Sequence, residues 1–407
     1  MKRLTLLSLA VALVLPAAAH AQLIMTMSNG WSLSFSGNVN AFWVYTKEDS
    51  NGTGGSKAGN SSVRTGLLPA FANFEARGKE AGLNLAIHFG FAPQINNAGI
   101  HDQFVTGSVQ AGAQIDMREV YLTVGGPWGQ ILAGRELALF GRQNILNDQT
   151  LFGVGSVGIG GGQAGGTTLG RIGYGYIYPN FNAQFTYSTK GGQPGQISVG
   201  LFQPSTIQTT PAGNGYNFTT LPRVEGEVTY NMKSGKNKFL VWGGGLVQST
   251  SNAATNGKSI TSVGGTAGVR ADLAGLAVVL SAYTGKGLGT LLMFSNVAGG
   301  PIATNDSVAR SSLGGYLQVG YAVNKKNTVA ASVGLSKLRN ASTGEAGGGN
   351  GGPNTLRTQL TSYTAGLYHQ WTKSLKVTLE VTKEHQQGVA TPSASQLDLS
   401  GGLMLFF

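Results

Sequence analysis

The residues best suited to chemistry in this sequence are its five histidines, and none of them lies in a catalytic or metal-binding pattern. They are His20, His88, His101, His369 and His385. No H-E-x-x-H pair is present, and the chain has no cysteine, which excludes disulfides and thiolate metal sites. A G-x-S-x-G nucleophile motif is missing as well. We therefore expect no metal and no cofactor, and we expect that the protein is not an enzyme.

One glycine pattern has the spacing of a nucleotide-binding motif. Gly153 to Gly158 reads GVGSVG and fits G-x-G-x-x-G. In dinucleotide sites this motif follows a strand and opens a helix, so that backbone N–H groups bind a pyrophosphate. Neither flanking element is predicted here. The motif is therefore weak evidence for a nucleotide site.

The stretch around that motif, from Arg135 to Arg171, is the one long interruption with helical character in the chain. Its first part, Glu136 to Phe152, places apolar residues among polar ones at a spacing that predicts a short amphipathic helix. Its second part is a glycine tract, which is too costly in backbone entropy to form a regular element. Inside a closed barrel, an inward-folded segment of this kind would set the width and charge of the hole. The alternative is a surface loop that lies over the rim.

Composition separates the classes of protein that remain. Charged residues make up 11% of the chain, against about 25% in ordinary soluble proteins, and there are 64 glycines. Beyond the first twenty-odd residues, no stretch has the roughly 18 consecutive apolar residues of a membrane helix. These facts favour a transmembrane β-barrel or a low-complexity secreted β protein. The net charge of +11 comes from scattered lysines and arginines, which favours a field inside a pore or contact with anionic lipid over nucleic acid.

The first 21 residues have the three parts of a secretory signal peptide. Lys2 and Arg3 form the basic head, Leu4 to Leu15 the apolar body, and Ala19 to Ala21 the small-x-small cleavage site. We expect cleavage after Ala21, export from the cytoplasm, and a single mature domain that runs from Gln22 to Phe407.

The mature chain repeats a strand pattern with a period of two residues. From Trp31 to Tyr45, apolar and aromatic residues alternate with serine and asparagine, over a length natural for a tilted membrane strand. The same alternation recurs at residues 83–91, 263–273, 313–323 and 375–381. Apolar rows backed by polar rows are typical of a barrel with lipid outside and water inside. His88 lies on a predicted lumenal face, where a solvated pore histidine is the simplest interpretation.

Short and long connectors alternate along the chain, as they do in outer-membrane barrels. Counting the segments between them gives about 17 strands, although bacterial barrels have an even number. The alternation of short and long connectors is interrupted at the short turn Pro179-Asn180, which is followed by a second short connector, Lys190 to Gly195. Treating Gln196 to Gln203 as part of a loop gives 16 strands, which we favour. A further strand between Ser205 and Thr220 would give 18.

Two motifs carry a resemblance to a known family. The last strand, Gln396 to Phe407, alternates leucines and ends on an aromatic residue, which resembles the assembly signal of outer-membrane barrels. REVYLTVGGPWGQILAGRE, from Arg118 to Glu136, is similar to the strand pair that precedes the constriction loop in Gram-negative general porins. With the leader and the alternating strands, the chain resembles that family. The resemblance implies a homotrimeric water-filled channel in the outer membrane, in contact with lipid and lipopolysaccharide, with an inward-folded third loop.

The resemblance also implies a constriction in which loop residues face basic residues of the barrel wall. The candidates are Arg77, Arg118, Arg135 and Arg171 on the wall, and Glu136, Arg142 and Asp148 on the loop. Alternation supports Arg77, which shares a face with Glu75, and Arg171, which lies opposite a row of apolar residues. It places Arg118 on the apolar face instead.

Opposed charges across a narrow aqueous hole pass small hydrophilic solutes and sort ions by sign. The resemblance implies passive diffusion, and because Arg142 lies in the loop and the mature chain is basic, we expect a weak anion preference. Three alternatives stay open at this point. The barrel could be a channel specific for a sugar, a carboxylate or phosphate; it could be an outer-membrane enzyme; or it could be an adhesin with a plugged lumen.

Overall fold

A computed structural model describes most of the chain. The described residues are 23–28, 30–50, 59–95, 115–159, 166–208, 215–216, 218–251, 259–294, 308–339, 357–388 and 393–407. The predicted signal peptide, residues 1–21, and the middle of the glycine tract, residues 160–165, lie outside these ranges.

The described residues form twenty β-strands. They are β1 (Leu23–Thr26), β2 (Ser32–Ser50), β3 (Gly59–Arg64), β4 (Phe71–Glu80), β5 (Leu83–Pro93), β6 (Ile115–Gly126), β7 (Gly129–Leu137), β8 (Phe181–Ser188), β9 (Gly195–Phe202), β10 (Ile207–Gln208), β11 (Gly215–Tyr216), β12 (Arg223–Ser234), β13 (Asn237–Ser251), β14 (Ser259–Leu273), β15 (Leu276–Lys286), β16 (Ser311–Ala322), β17 (Asn327–Leu338), β18 (Arg357–Gln370), β19 (Leu375–Gly388) and β20 (Ala394–Phe406).

These strands close into an antiparallel barrel with 16 positions around its circumference. From β4 to β9 and from β12 to β20 each strand pairs with the next one in the chain, β9 pairs with β12, and β20 pairs with β2 to close the ring. Strands β3 and β4 pair with successive parts of β2 and so share one position. Strand β1 pairs with the start of β2, in line with β20, and shares its position. Strands β10 and β11 form a separate small hairpin.

The side chains of the strands face outward and inward in the alternating order predicted from the sequence. In β2, Val39 and Trp43 are exposed on the outer face, whereas Asn38 and Asn40 are buried inside. The inward asparagines hold the chain where it crosses from β3 to β4, because their amides donate to the backbone oxygens of Pro69 and Leu68. The barrel, its 16 positions and the first long strand predicted from the sequence are therefore confirmed.

The predicted count of 16 strands is confirmed, but the prediction of which segment forms no strand is wrong. Gln196 to Gln203 is not a loop, because residues 195–202 form β9 with Ile197 and Val199 exposed on its outer face. The segment that forms no barrel strand is 171–178. It bends at Gly173, whose φ of 81° is left-handed, and its backbone hydrogen bonds are those of turns. Pro179-Asn180 is accordingly the end of a long loop and not a hairpin turn. The region 205–220 adds no barrel strand in its described part.

The predicted helix over Glu136 to Phe152 is shorter than expected. Glu136 still belongs to β7, and a five-residue helix α1 (Arg142–Leu146) follows Gly141, whose φ of 81° is left-handed. A 3-10 helix (Gln149–Phe152) follows, capped by the Asp148 side chain, which accepts from the Thr150 N–H. Among the described residues, neither this helix nor any other has the length and apolar character needed to cross a membrane.

The connector from β7 to β8 folds into the barrel in its described parts, 138–159 and 166–180, and we call residues 138–180 the constriction loop. It is the third long connector in the chain. Its apolar residues Ile145, Leu151 and Ile172 pack against Trp242 and Tyr316, whose side chains point inward from β13 and β16. Burying a large apolar side chain contributes about 1.5–3 kcal/mol, so this packing alone favours the inward position strongly. The predicted inward-folded third loop is confirmed.

Candidate functional site

The constriction loop begins with three contacts to the inward carboxylates of β12. The backbone N–H of Phe140 donates to Glu225 at 2.8 Å. Arg142, in α1, forms an ion pair with Glu227 at 2.5 Å, and the Gln143 amide donates to the same carboxylate at 3.2 Å. Burial alone would lower the pKa of Arg142, but the Glu227 carboxylate raises it above its usual value. The predicted loop residue Arg142 therefore ties the loop to the wall.

One asparagine of α1 connects the loop to three further strands. The Asn144 side chain accepts from the Trp242 indole at 2.8 Å and donates to Thr266 at 2.9 Å. Its backbone oxygen accepts from the Tyr316 hydroxyl at 2.8 Å. Because Asn144 is only 1% exposed, each of these groups would be an unsatisfied polar group without its partner.

The GVGSVG segment is held by two glutamates of β19. Glu380 and Glu384 are both buried, and each accepts two hydrogen bonds from backbone N–H groups of the loop. The donors are Val154 and Gly155 for Glu380 and Val157 and Gly158 for Glu384, at 2.7, 2.8, 2.9 and 3.2 Å. Successive backbone N–H groups form a concave site for an anion. In this molecule the anion is a wall carboxylate, which accounts for the motif without a nucleotide.

Asp148 and Arg171 meet inside the loop. Their closest atoms are 3.6 Å apart, and both side chains are fully buried. Arg171 also donates to the hydroxyls of Ser362 and Ser332 on the wall, and Tyr176 donates to Asp148 at 2.8 Å. Burial raises the pKa of Tyr176 well above its usual value, and the Asp148 charge adds to the effect. The prediction that Arg171 belongs to the wall is wrong, because residues 171–178 return through the lumen.

The inward side chains of β4, β5 and β6 form a charged cluster on the part of the wall away from β12–β20. His88 lies between two carboxylates, with Nε2 2.8 Å from Glu119 and Nδ1 3.4 Å from Glu75. Only the imidazolium satisfies two acceptors, because both ring nitrogens then carry hydrogen. Arg77, a predicted wall residue, forms an ion pair with the other oxygen of Glu75. Tyr121 stacks on the His88 ring at 4.8 Å.

A β-bulge explains why alternation placed Arg118 on the wrong face. Gly90 pairs with Glu119 but Phe91 pairs with Met117, so that Arg118 is the extra residue and the parity of β6 changes there. Arg118 consequently points inward, where it forms an ion pair with Asp116 at 2.8 Å. Its guanidinium also approaches the Tyr178 hydroxyl, at 3.5 Å, at the end of the loop.

The remaining two predicted residues lie on opposite faces of β7. Glu136 points inward and is buried, and its carboxylate accepts from the Leu137 N–H at 2.9 Å. Arg135 has the parity of Ile131 and is exposed on the outer face. Arg135 therefore does not line the channel, which corrects the prediction that it is a basic wall residue of the constriction.

Four inward arginines of the wall share a local pattern, in which the carboxylate partner lies two residues away on the same strand. The four pairs are Arg77–Glu75, Arg118–Asp116, Arg223–Glu225 and Arg270–Asp272. Residues i and i+2 share a face of a strand, so each pair forms without help from another element. At these four positions of the described wall, the lumen thus presents paired charges.

Sequence reasoning missed the carboxylates that hold the loop, namely Glu225, Glu227, Glu380 and Glu384. Each lies in the inward row of a strand, where any polar residue is expected. One signal was available. Several inward positions of β13–β16 carry large apolar residues, including Trp242, Leu246 and Tyr316, and these mark the wall on which the loop packs.

This chain matches known proteins both by a family profile and by its structure. The profile of the Gram-negative porin family matches residues 8–388. No curated protein matches the chain in sequence. The outer membrane channel DcaP of Acinetobacter baumannii is similar in structure, with a TM-score of 0.66, 13% identity, and coverage of 94% of this chain and 99% of that one.

Two further solved structures are similar to the chain. For the anion-selective porin from Comamonas acidovorans, the TM-score is 0.61, with 12% identity and coverage of 93% and 100%. For the trimer form of the outer membrane protein OmpT of Vibrio cholerae, the TM-score is 0.50, with 11% identity and coverage of 93% and 100%. At such identities the likeness concerns the fold alone.

Proposed function

The chain belongs to the Gram-negative porin family, and we propose how its channel selects the solutes and ions that pass. The protein is an outer-membrane channel for passive diffusion of small hydrophilic solutes and ions. We propose that the constriction loop and the charged cluster of β4–β6 face each other across the narrowest part of the channel. The observation that carries this proposal is the attachment of the loop to β12–β20, which leaves Arg77, His88 and Glu119 on the remaining wall.

Within this proposal the predicted site residues have different roles. Arg77, Arg118 and Glu136 point into the lumen from the wall. Arg142, Asp148 and Arg171 hold the loop in position.

The weak anion preference inferred from the basic composition stays a prediction. It has a parallel in the anion-selective porin from Comamonas acidovorans, which has the same fold. Since most inward arginines are paired with carboxylates, the field in the lumen is weak, and a strong preference for either sign is not expected. The same pairing argues against a phosphate-specific channel, which would require free cations along the lumen.

We propose a homotrimer, as in the trimer form of OmpT. Lipid and lipopolysaccharide would surround the outer face, which carries exposed apolar side chains such as Leu280, Leu379 and Leu403. We also propose that the signal peptide is cleaved after Ala21. That the protein is not an enzyme and binds no cofactor stays a prediction.

The test is the conductance of the refolded protein in a planar lipid bilayer under a salt gradient. We expect large ohmic steps that close in threes, and a reversal potential that indicates a small excess of chloride over potassium permeability. Refolded barrels without any conductance would overturn the open-channel proposal in favour of a plugged barrel. Steps that close singly would overturn the trimer.

A further inference from the structure

An anion preference of the channel, which belongs to the proposed function and on which the following inference rests, depends on the charges that line the lumen. Six inward or loop arginines are paired with carboxylates, as the four local pairs and the pairs of Arg142 and Arg171 show. The electric fields of two opposite charges that are paired largely cancel at the distance of a passing ion. A preference for anions therefore requires a cation in the lumen that has no carboxylate beside it.

Lys376 points into the lumen, as its neighbours on β19 establish. Thr378 and Glu380 have the same parity, and both contact the constriction loop from the wall, Thr378 through a hydrogen bond to the Phe152 oxygen at 2.8 Å. Lys376 precedes them on the strand, directly after the short connector 371–374. Short connectors lie on the periplasmic side of outer-membrane barrels. Lys376 therefore lies on the periplasmic side of the loop, where a solute leaves the constriction.

Among the described residues, the Lys376 ammonium contacts an aromatic ring and has no carboxylate partner to cancel its charge. Its Nζ atom is 3.6 Å from the centre of the Phe152 ring, which closes the 3-10 helix of the loop. An aromatic face attracts a cation but carries no net charge. Gln370 and Met404, its register partners on β18 and β20, are uncharged. Within the described part of the chain, no carboxylate oxygen lies within 4.0 Å of Nζ.

We propose that Lys376 is a specificity-determining residue, which attracts small inorganic and carboxylate anions to the periplasmic side of the constriction. Its position beside Phe152 fixes the ammonium at the edge of the loop. The half-buried side chain reaches this position from a rigid strand, so the charge stays next to the permeation path.

Strand β19 offers a matched control on its opposite face. Lys383 has the parity of Leu379 and Val381, is exposed outside the barrel, and bonds Ser395 at 3.1 Å. Lys376→Gln and Lys383→Gln therefore remove the same charge from the same strand, one inside and one outside. The measurement is the chloride-to-potassium permeability ratio, obtained from the reversal potential of each variant in a planar bilayer.

We expect Lys376→Gln to lower the ratio by about twofold, as the loss of one unscreened unit charge close to the path implies. Lys383→Gln should leave it unchanged, and Lys376→Arg, which keeps the charge, should retain the wild-type ratio. An unchanged ratio in a conducting Lys376→Gln channel would overturn the inference, and so would an equal effect of Lys383→Gln. These results are distinct from failure of the proposed function, in which the wild-type protein would not conduct.

Discussion

The two sides of the lumen are built in different ways. Along β12–β20, wall side chains bind the constriction loop through contacts between residues far apart in sequence, such as Glu380 with Val154. Along β4–β6, charged side chains bind neighbours on the same or adjacent strands, such as Arg77 with Glu75 and His88 with Glu119. The contacts of the first side form only in the closed barrel, whereas those of the second side follow from the two-residue period of a strand. The loop is therefore held by contacts that require the closed barrel, whereas the charged cluster of β4–β6 forms within a few neighbouring strands.

The largest effect is expected from removing both glutamates that bind the GVGSVG segment. In a Glu380→Ala, Glu384→Ala double variant four backbone N–H groups lose their acceptors, and each one left buried costs about 1–3 kcal/mol. We expect the segment to leave the wall, and single-channel recordings should show altered conductance with increased current noise.

The Glu380→Gln, Glu384→Gln variant is the control for the first experiment. It keeps an acceptor oxygen at each site, so its conductance should lie nearer to that of the wild type. A double alanine variant that conducts as the wild type does would mean that the wall does not fix the width of the channel.

The second effect concerns the buried ion pair inside the loop. Arg171→Met leaves Asp148 charged and without its cation, and breaking such a buried pair costs about 3–5 kcal/mol. We expect a lower urea midpoint for unfolding from lipid. Arg270→Met provides the comparison, because the Arg270–Asp272 pair is about one third exposed (35% and 38%). Equal destabilisation by the two substitutions would erase the distinction between the loop and the wall.

The third effect tests how closely the loop approaches the wall. A Cβ atom on Gly334 of β17 would lie 1.9 Å from the backbone oxygen of Tyr174. Gly334→Ala therefore requires the loop or the strand to shift, and overpacking of this kind costs about 1–3 kcal/mol. Gly226 of β12 is the control, since its nearest atom would lie at 3.7 Å. Thermal unfolding of both variants decides whether Gly334 is required for the approach.

Features that depend on the two-residue period of a strand could be predicted from the sequence. Alternation placed Arg77 correctly, because residues two apart share a face of a strand. It failed at Arg118, where one inserted residue reverses the parity of β6. It also failed at Arg171, where Ile172, Tyr174 and Tyr176 look like a strand but are buried in the returning loop. A buried irregular segment and a strand both carry regularly spaced apolar residues, and the period alone cannot separate them.

The anchors of the loop depend on information that local patterns do not contain. Glu380 lies 226 residues from Val154, and their contact exists only once β20 has paired with β2 and the barrel has closed. Before closure, Glu380 is one of many polar residues in an inward row. The apolar inward residues Trp242 and Tyr316 were the readable sign, since a water-filled lumen gives no reason to place them there.

The smallest effect is expected at the charged cluster of β4–β6, where Arg77 is 41% exposed. Exposed ion pairs contribute about 0–1 kcal/mol, so Arg77→Gln should change the unfolding free energy by no more than that. Glu75 keeps its contact with His88, which prevents a lone buried carboxylate. The permeability ratio should move slightly towards potassium, because one lumenal cation is lost while its partner carboxylate stays. Reversal potentials and urea unfolding of the same preparation separate the two quantities. If Arg77→Gln destabilised the barrel as strongly as Arg171→Met, the charged cluster of β4–β6 would also depend on tightly coupled contacts, and the distinction between the two sides of the lumen would fail.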